Sequence, residues 1–189
     1  ENFALARMLD RYPQVDGVVF GRPWADTVDH EAGRLGSRRI FALVGNSLAA
    51  ALGLEDVLRA ALGERFAGIA AGIRAHSPRV DVAAAAAAAH EAGADLIVAI
   101  GGGSVIDAAK VMQLCLAAGV YDAAGFDALR GRSQAVHRID LPVRVIAVPS
   151  TLAGAELTAF AGVTDTSRNR KEMYLHPQMS PRLVVLDPA

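Results

Sequence analysis

Three consecutive glycines and a hydroxyl, Gly101, Gly102, Gly103 and Ser104, open the stretch GGGSVIDAAK. The residues before them, Leu96 to Ile100, are apolar, and Ser104 to Leu116 is helix-compatible, so the segment reads as strand, tight turn and helix start. Residues without a Cβ let the backbone take positive φ and approach another group closely. The N–H groups of a helix's first turn have no partner within the helix, and the partial positive charge there favours a pyrophosphate without any side-chain cation. Ser104 and Asp107 also stand three apart like a capping box, so part of the motif can be read as a helix start alone. A plain cap does not need three glycines after a buried strand, which favours nucleotide binding. Neither GxGxxG nor GxxxxGK[ST] occurs here, so the turn is neither the Rossmann fingerprint nor the P-loop.

Two more loops carry polar groups at the ends of apolar runs. Pro149 to Thr158, PSTLAGAELT, follows the run Val143 to Val148 with hydroxyls and small residues, and its plainer reading is a turn and a helix cap. Gly45, Asn46 and Ser47 follow the run Ile40 to Val44, and Ser47 can be read as the cap of a helix from Leu48 to Leu62. In dinucleotide sites an acid near such a strand end accepts from the ribose 2′-hydroxyl and repels a 2′-phosphate. This loop has no acid, so NADP(H) is expected to bind at least as well as NAD(H).

GGGSVIDAAK resembles the glycine motif of the iron-dependent (group III) alcohol dehydrogenase superfamily, which includes maleylacetate reductases and is related to glycerol dehydrogenase and dehydroquinate synthase. The likeness runs from about Val18 to the C-terminus. The length of PSTLAGAELT and its Glu156 are most similar to the maleylacetate reductase branch. The resemblance implies that Gly101, Gly102, Gly103 and Ser104 hold the pyrophosphate of NAD(P) through backbone N–H groups, with the Ser104 hydroxyl as a further donor. It implies that Asp107 accepts from the nicotinamide amide, with capping as the alternative. Ser150, Thr151 and Leu152 would lie along the adenosine and diphosphate. Lys171, in NRKEMYL, would donate to the nicotinamide ribose, the alternative being a solvated hairpin charge. Similar members with aspartate at the Gly45 position favour NAD, whereas glycine and serine there are compatible with NADP, with Asn46 and Ser47 as donors.

Members of this superfamily bind iron or zinc through one aspartate and three histidines in a helical second domain. The five histidines here are His30, His76, His90, His137 and His176, and no two share the i, i+3 or i+4 spacing that places ligands on one helix face. Each reads as a surface or capping residue. Asp187, in an LDP triplet, precedes the ligand-bearing helices in the superfamily pattern and supplies no ligand. No metal ligand and no catalytic residue is assigned, and Fe2+ or Zn2+ is expected only with the helical C-terminal domain. Residues 1–189 are expected to be the NAD(P)-binding part of a hydride-transferring enzyme for a small alcohol or carbonyl substrate. A stop just after Pro188 favours truncation, and the alternative is a stand-alone nucleotide-binding module without dehydrogenase activity.

The elements that must position these groups follow from the rest of the chain. At 189 residues, 52% hydrophobic and 21% charged, it is long enough for one well-cored domain or at most two small ones, and its net charge of -1 gives no sign of a nucleic-acid partner, so none is expected. Cys115 is the single cysteine and reads as a core residue on a helix face in a reducing compartment. No apolar run approaches the roughly 20 residues that cross a bilayer, so no membrane partner is expected and the chain reads as cytoplasmic; a homodimer is left open. After a lead-in over residues 1–16, strands are expected at Gly17 to Gly21, Ile40 to Val44, Leu96 to Ile100, Val143 to Val148 and Leu183 to Leu186, with another in Phe66 to Ile73. Helices are expected at Trp24 to Leu35, Leu48 to Leu62, Val82 to Ala92 (capped by Asp81) and Ser104 to Leu116, and Gly119 to Asp140 reads as loop with one or two helical turns. Alternating strands and helices imply an α/β fold, a Rossmann-like parallel sheet with helices on both faces, similar to the N-terminal domain of dehydroquinate synthase. A small hairpin, Phe160 to Thr164 with Glu172 to Leu175, is expected near the C-terminal end.

Overall fold

In the computed structural model, which describes residues 15–130 and 134–188, the strands are Gly17–Phe20 (β1), Ile40–Val44 (β2), Phe66–Ala71 (β3), Leu96–Gly101 (β4), Arg144–Pro149 (β5), Phe160–Asp165 (β6), Arg170–Leu175 (β7) and Leu183–Leu186 (β8). Six of them form one parallel sheet in the order β1-β8-β5-β4-β2-β3, and β6 and β7 pair antiparallel as a separate hairpin. The helices are Trp24–Arg34 (α1), Asn46–Leu52 (α2), Leu54–Leu62 (α3), Arg79–Glu91 (α4), Gly103–Ala118 (α5) and two four-residue turns, Phe126–Leu129 (α6) and Gln134–His137 (α7). The α/β reading therefore holds, hairpin included. Among the described residues no helix is long and apolar enough to cross a membrane.

Side chains alternate across the buried strands, so each central strand feeds two cores. Phe41, Leu43, Ile97, Ala99, Val145 and Ala147 face α4, α5 and the hairpin. Ile40, Ala42, Val44, Leu96, Val98, Ile100, Ile146 and Val148 face α1 and α3. The alanine run explains itself in this packing: Ala83, Ala85, Ala86 and Ala89 are buried, and their small side chains let α4 lie close against β3 and α5. The helices after β2 pack on one face and the helix after β4 on the other. A crevice therefore opens beyond the C-terminal ends of β2 and β4, which are neighbours in the sheet.

Several local expectations need correction. The helix expected over Leu48 to Leu62 begins at Asn46 and breaks at Gly53, which takes a left-handed φ of 54° between α2 and α3. Ser47 does not cap it; Gly45 occupies that position. Asp81 is not a cap either, because α4 starts at Arg79 behind Pro78, and the Asp81 carboxylate instead accepts from Arg74. The lead-in over residues 1–16 lies almost wholly outside the described residues.

Buried charges bind the hairpin to the sheet. Arg79, 4% exposed at the start of α4, pairs with Glu172 of β7 and with Asp127 at 2.6 Å, while Glu172, 3% exposed, also accepts from Arg130. Burial works against the charge on Arg79, but the hydrogen bonds it donates to Asp127 and Glu172 hold its pKa above the ordinary arginine value. Removing one member leaves the others charged in a dry site. Glu172→Ala is therefore expected to lower the unfolding free energy by about 3 kcal/mol, read by urea denaturation, against little change for the exposed Arg170→Ala.

Candidate functional site

Beyond β4 the backbone turns through the glycines, each of which meets a different constraint. Gly101 is extended past the range of other residues, with φ at 156°, and a Cβ there would stand 2.9 Å from Val105 Cγ2. Gly102 has an ordinary φ of -78° and caps α5, but a Cβ on it would meet the Thr151 side chain at 3.3 Å. Gly103 is the first residue of α5 and lies against Ala153. The expectation of positive φ thus holds for Gly101 alone of the three. The Gly101 carbonyl accepts from Ser150 N at 3.0 Å and the Ile100 carbonyl from Gly45 N at 3.0 Å, so the ends of β2, β4 and β5 are laced together.

The capping box is not formed. Ser104 Oγ accepts from His76 N at 3.0 Å, Ser77 Oγ donates to the Ser104 carbonyl at 2.7 Å, and Asp107 Oδ2 accepts from Gly162 N at 3.0 Å. These two side chains tie α5 to its neighbours and leave the first turn of the helix, Gly103 and Ser104, without a side-chain acceptor on its N–H groups. His76 and Ser77 take φ of 63° and 51°, a left-handed pair without glycine. Such a turn persists where its surroundings over-determine it; here Ser104 holds it from one side and Thr164, bonded to both carbonyls, from the other. Nothing in the local sequence announces it.

Lys110, the last residue of the motif, had no role in the sequence reading and proves central. It has no exposure, and its Nζ donates to the Ala155 carbonyl at 2.7 Å, Thr158 Oγ1 at 3.0 Å and the Phe160 carbonyl, with Asp107 Oδ1 at 3.2 Å. Burial lowers its pKa, and the nearby charges of Asp107 and Glu156 oppose that shift. Its position on the buried side of α5 was the available signal, since a lysine there must find acceptors.

Between α5, the loop over residues 153–158 and the hairpin lies an open cleft of about 390 Å³. Gly103, Ser104, Asp107 and Lys171 of the expected residues line it, together with Ser77, Thr158 and Phe160. Gly101, Gly102, Ser150 and Thr151 adjoin these lining segments in the chain and do not themselves line the cleft. Leu152 is fully exposed, and Asn46 and Ser47 sit exposed on α2 and do not line the cleft, while a Cβ built on Gly45 would stand 3.9 Å from the Gly101 Cα. Glycine N–H groups, hydroxyls and an ammonium facing one cleft fit an anionic ligand with hydroxyl groups. Among the described residues no group of three or more His, Cys, Asp or Glu is placed to hold a metal ion. His176, expected at the surface or as a cap, is buried and caps the turn Pro177–Met179 through Nδ1, which accepts from Gln178 N at 3.1 Å.

The family model described as iron-containing alcohol dehydrogenase matches residues 16–188. The chain is 35% identical over 176 residues to a maleylacetate reductase of Sphingobium indicum, covering 90% of this chain and 40% of that one. It is 31% identical over 174 residues to NADH-dependent butanol dehydrogenase A of Clostridium acetobutylicum, covering 90% and 43%. The crystal structure of maleylacetate reductase from Rhizobium sp. strain MTP-10005 superposes with a TM-score of 0.68 at 28% identity, over 90% of this chain and 40% of that one. The chain thus spans about two fifths of the length of such relatives.

Lys110→Met is expected to strand the Ala155 and Phe160 carbonyls and to cost about 2 to 3 kcal/mol, with faster hydrogen exchange over residues 155–162 as its local signature.

Proposed function

The chain belongs to the iron-containing alcohol dehydrogenase family, and from that membership we propose that it is the dinucleotide-binding part of an oxidoreductase. NAD(P) would supply the hydride acceptor or donor, and the substrate would be a small alcohol, aldehyde or ketone. The observation that carries this reading is the glycine turn from β4 into α5, whose free first-turn N–H groups line a cleft with Ser104, Asp107 and Lys171.

In this reading Gly102, Gly103 and Ser104 hold the pyrophosphate, and Ser150, Thr151 and Leu152 run beside the adenosine. Lys171 offers an ammonium to a ribose hydroxyl. Asp107 has one oxygen on Gly162 N and the other beside Lys110, so it positions the hairpin and keeps only its remaining lone pairs for a nicotinamide amide. The described residues contain no fitting donor set for iron or zinc, so the metal of the family is assigned to a helical domain outside this chain and no step is routed through it here. A cytoplasmic setting belongs to the same proposal, supported by Cys115 being the single cysteine of the sequence.

The residues around Gly45 bear on cofactor choice. Gly45, Asn46 and Ser47 after β2 include no carboxylate, and Asn46 and Ser47 are exposed donors in the first turn of α2. NADP(H) is expected to bind at least as well as NAD(H), and Gly45→Asp to shift preference toward NAD(H) by repelling the 2′-phosphate. Calorimetric titration of both cofactors checks this; a wild-type preference for NAD(H) of about tenfold would contradict it. In the same titration Gly102→Val is expected to abolish binding while the chain stays folded, since its side chain would push on Thr151 and fill the phosphate approach.

A further inference from the structure

Lys171 reaches the cleft by crossing the outer face of the hairpin, and the space it crosses is provided by Gly162. The register sets Lys171 opposite Thr164 and Met173 opposite Gly162, so Gly162 is the diagonal neighbour of Lys171 on one face of the pair. The opposite face of β7 is committed to the interior through Glu172, held by Arg79 and Arg130, and through buried Tyr174 against Phe126. The strand therefore cannot roll to re-aim the lysine.

Glycine at 162 has no local reason. It lies within β6, its φ is not in the left-handed range, and its N–H makes an ordinary hydrogen bond to Asp107 Oδ2 at 3.0 Å. In a strand interior glycine is a weakening choice. What occupies the place of its missing side chain is the lysine: a Cβ built there collides with Lys171 Cε and stands 3.0 Å from Nζ and 3.4 Å from Cδ. Among the described residues nothing pairs with that ammonium, which faces the cleft that Ser104 and Asp107 also line.

We propose that Gly162 is a positioning residue for the cofactor cleft: its bare backbone is the groove along which Lys171 folds to bring its ammonium to the ligand. This rests on the dinucleotide reading above and adds a specific consequence. Because the obstructed atoms belong to a flexible side chain, a methyl group at 162 displaces the lysine rather than the fold.

The test compares the full chain with Gly162→Ala, Lys171→Ala and the double variant, measuring NADPH and NADH dissociation constants and thermal midpoints, with a crystal structure of Gly162→Ala. Gly162→Ala is expected to keep its midpoint within about 2 °C and to lose about tenfold in affinity, matching Lys171→Ala, with no further loss in the double variant. The crystal structure is expected to show Lys171 turned to solvent. Wild-type affinity in Gly162→Ala, a further tenfold loss in the double variant, or Lys171 still lying across residue 162 would each overturn the proposal. Failure of the unmodified chain to bind either cofactor would instead sink the functional reading beneath it, while the crystal structure still decides where the lysine goes.

Discussion

A buried ammonium must gather acceptors or give up its charge, and Lys110 is placed where it has no water to use. It sits on the buried side of α5, so the acceptors have to come to it. The Ala155 and Phe160 carbonyls and the Thr158 hydroxyl do so, which folds the segment after β5 back onto the helix. With Phe160 fixed, β6 starts beside α5, Asp107 catches the N–H of Gly162, and the hairpin becomes a wall of the cleft. One lysine thus converts a plain parallel sheet into a sheet with a covered ligand edge.

The other wall depends on close backbone approach. The ends of β2, β4 and β5 are cross-bonded through Gly45, Gly101 and Ser150, and Val105 packs where a side chain on Gly101 would stand. Conformations such as those of Gly101, His76 and Ser77 cost on the order of 1 to 3 kcal/mol each when a residue is not suited to them. The hydrogen bonds that Ser104 accepts from this turn, those that Thr164 donates to it and the two cores of the sheet offset that cost. Strain of this kind is concentrated at the cleft, where Ser77 lines the opening.

Much of this was legible in the sequence because it rests on short-range pattern. Short apolar runs closed by glycine, such as Ile40 to Val44 and Leu96 to Ile100, read as buried strands and are so in the fold, and the glycines after them mark the ligand edge. The hairpin expected of Phe160 to Thr164 with Glu172 to Leu175 forms as β6 and β7. Caps were misread at Ser47 and Asp81, and the capping box offered as the alternative at Ser104 does not form, since a polar side chain that resembles a cap can be drawn away by a tertiary partner: Arg74 for Asp81, His76 for Ser104. The Lys110–Ala155 and Arg79–Glu172 contacts join residues 45 and 93 positions apart, the path of Lys171 over Gly162 crosses from one strand to the other, and no local pattern encodes them.

The central claim is that the first turn of α5 receives the phosphates of a dinucleotide. Amide chemical shifts of the isotopically labelled chain, followed while NADPH is titrated in, test it most directly. Saturable shifts centred on the amides of Gly102, Gly103 and Ser104, with smaller ones at Thr151 and Lys171, are expected. Binding that leaves those three amides unmoved and shifts another surface would contradict a phosphate site at this turn.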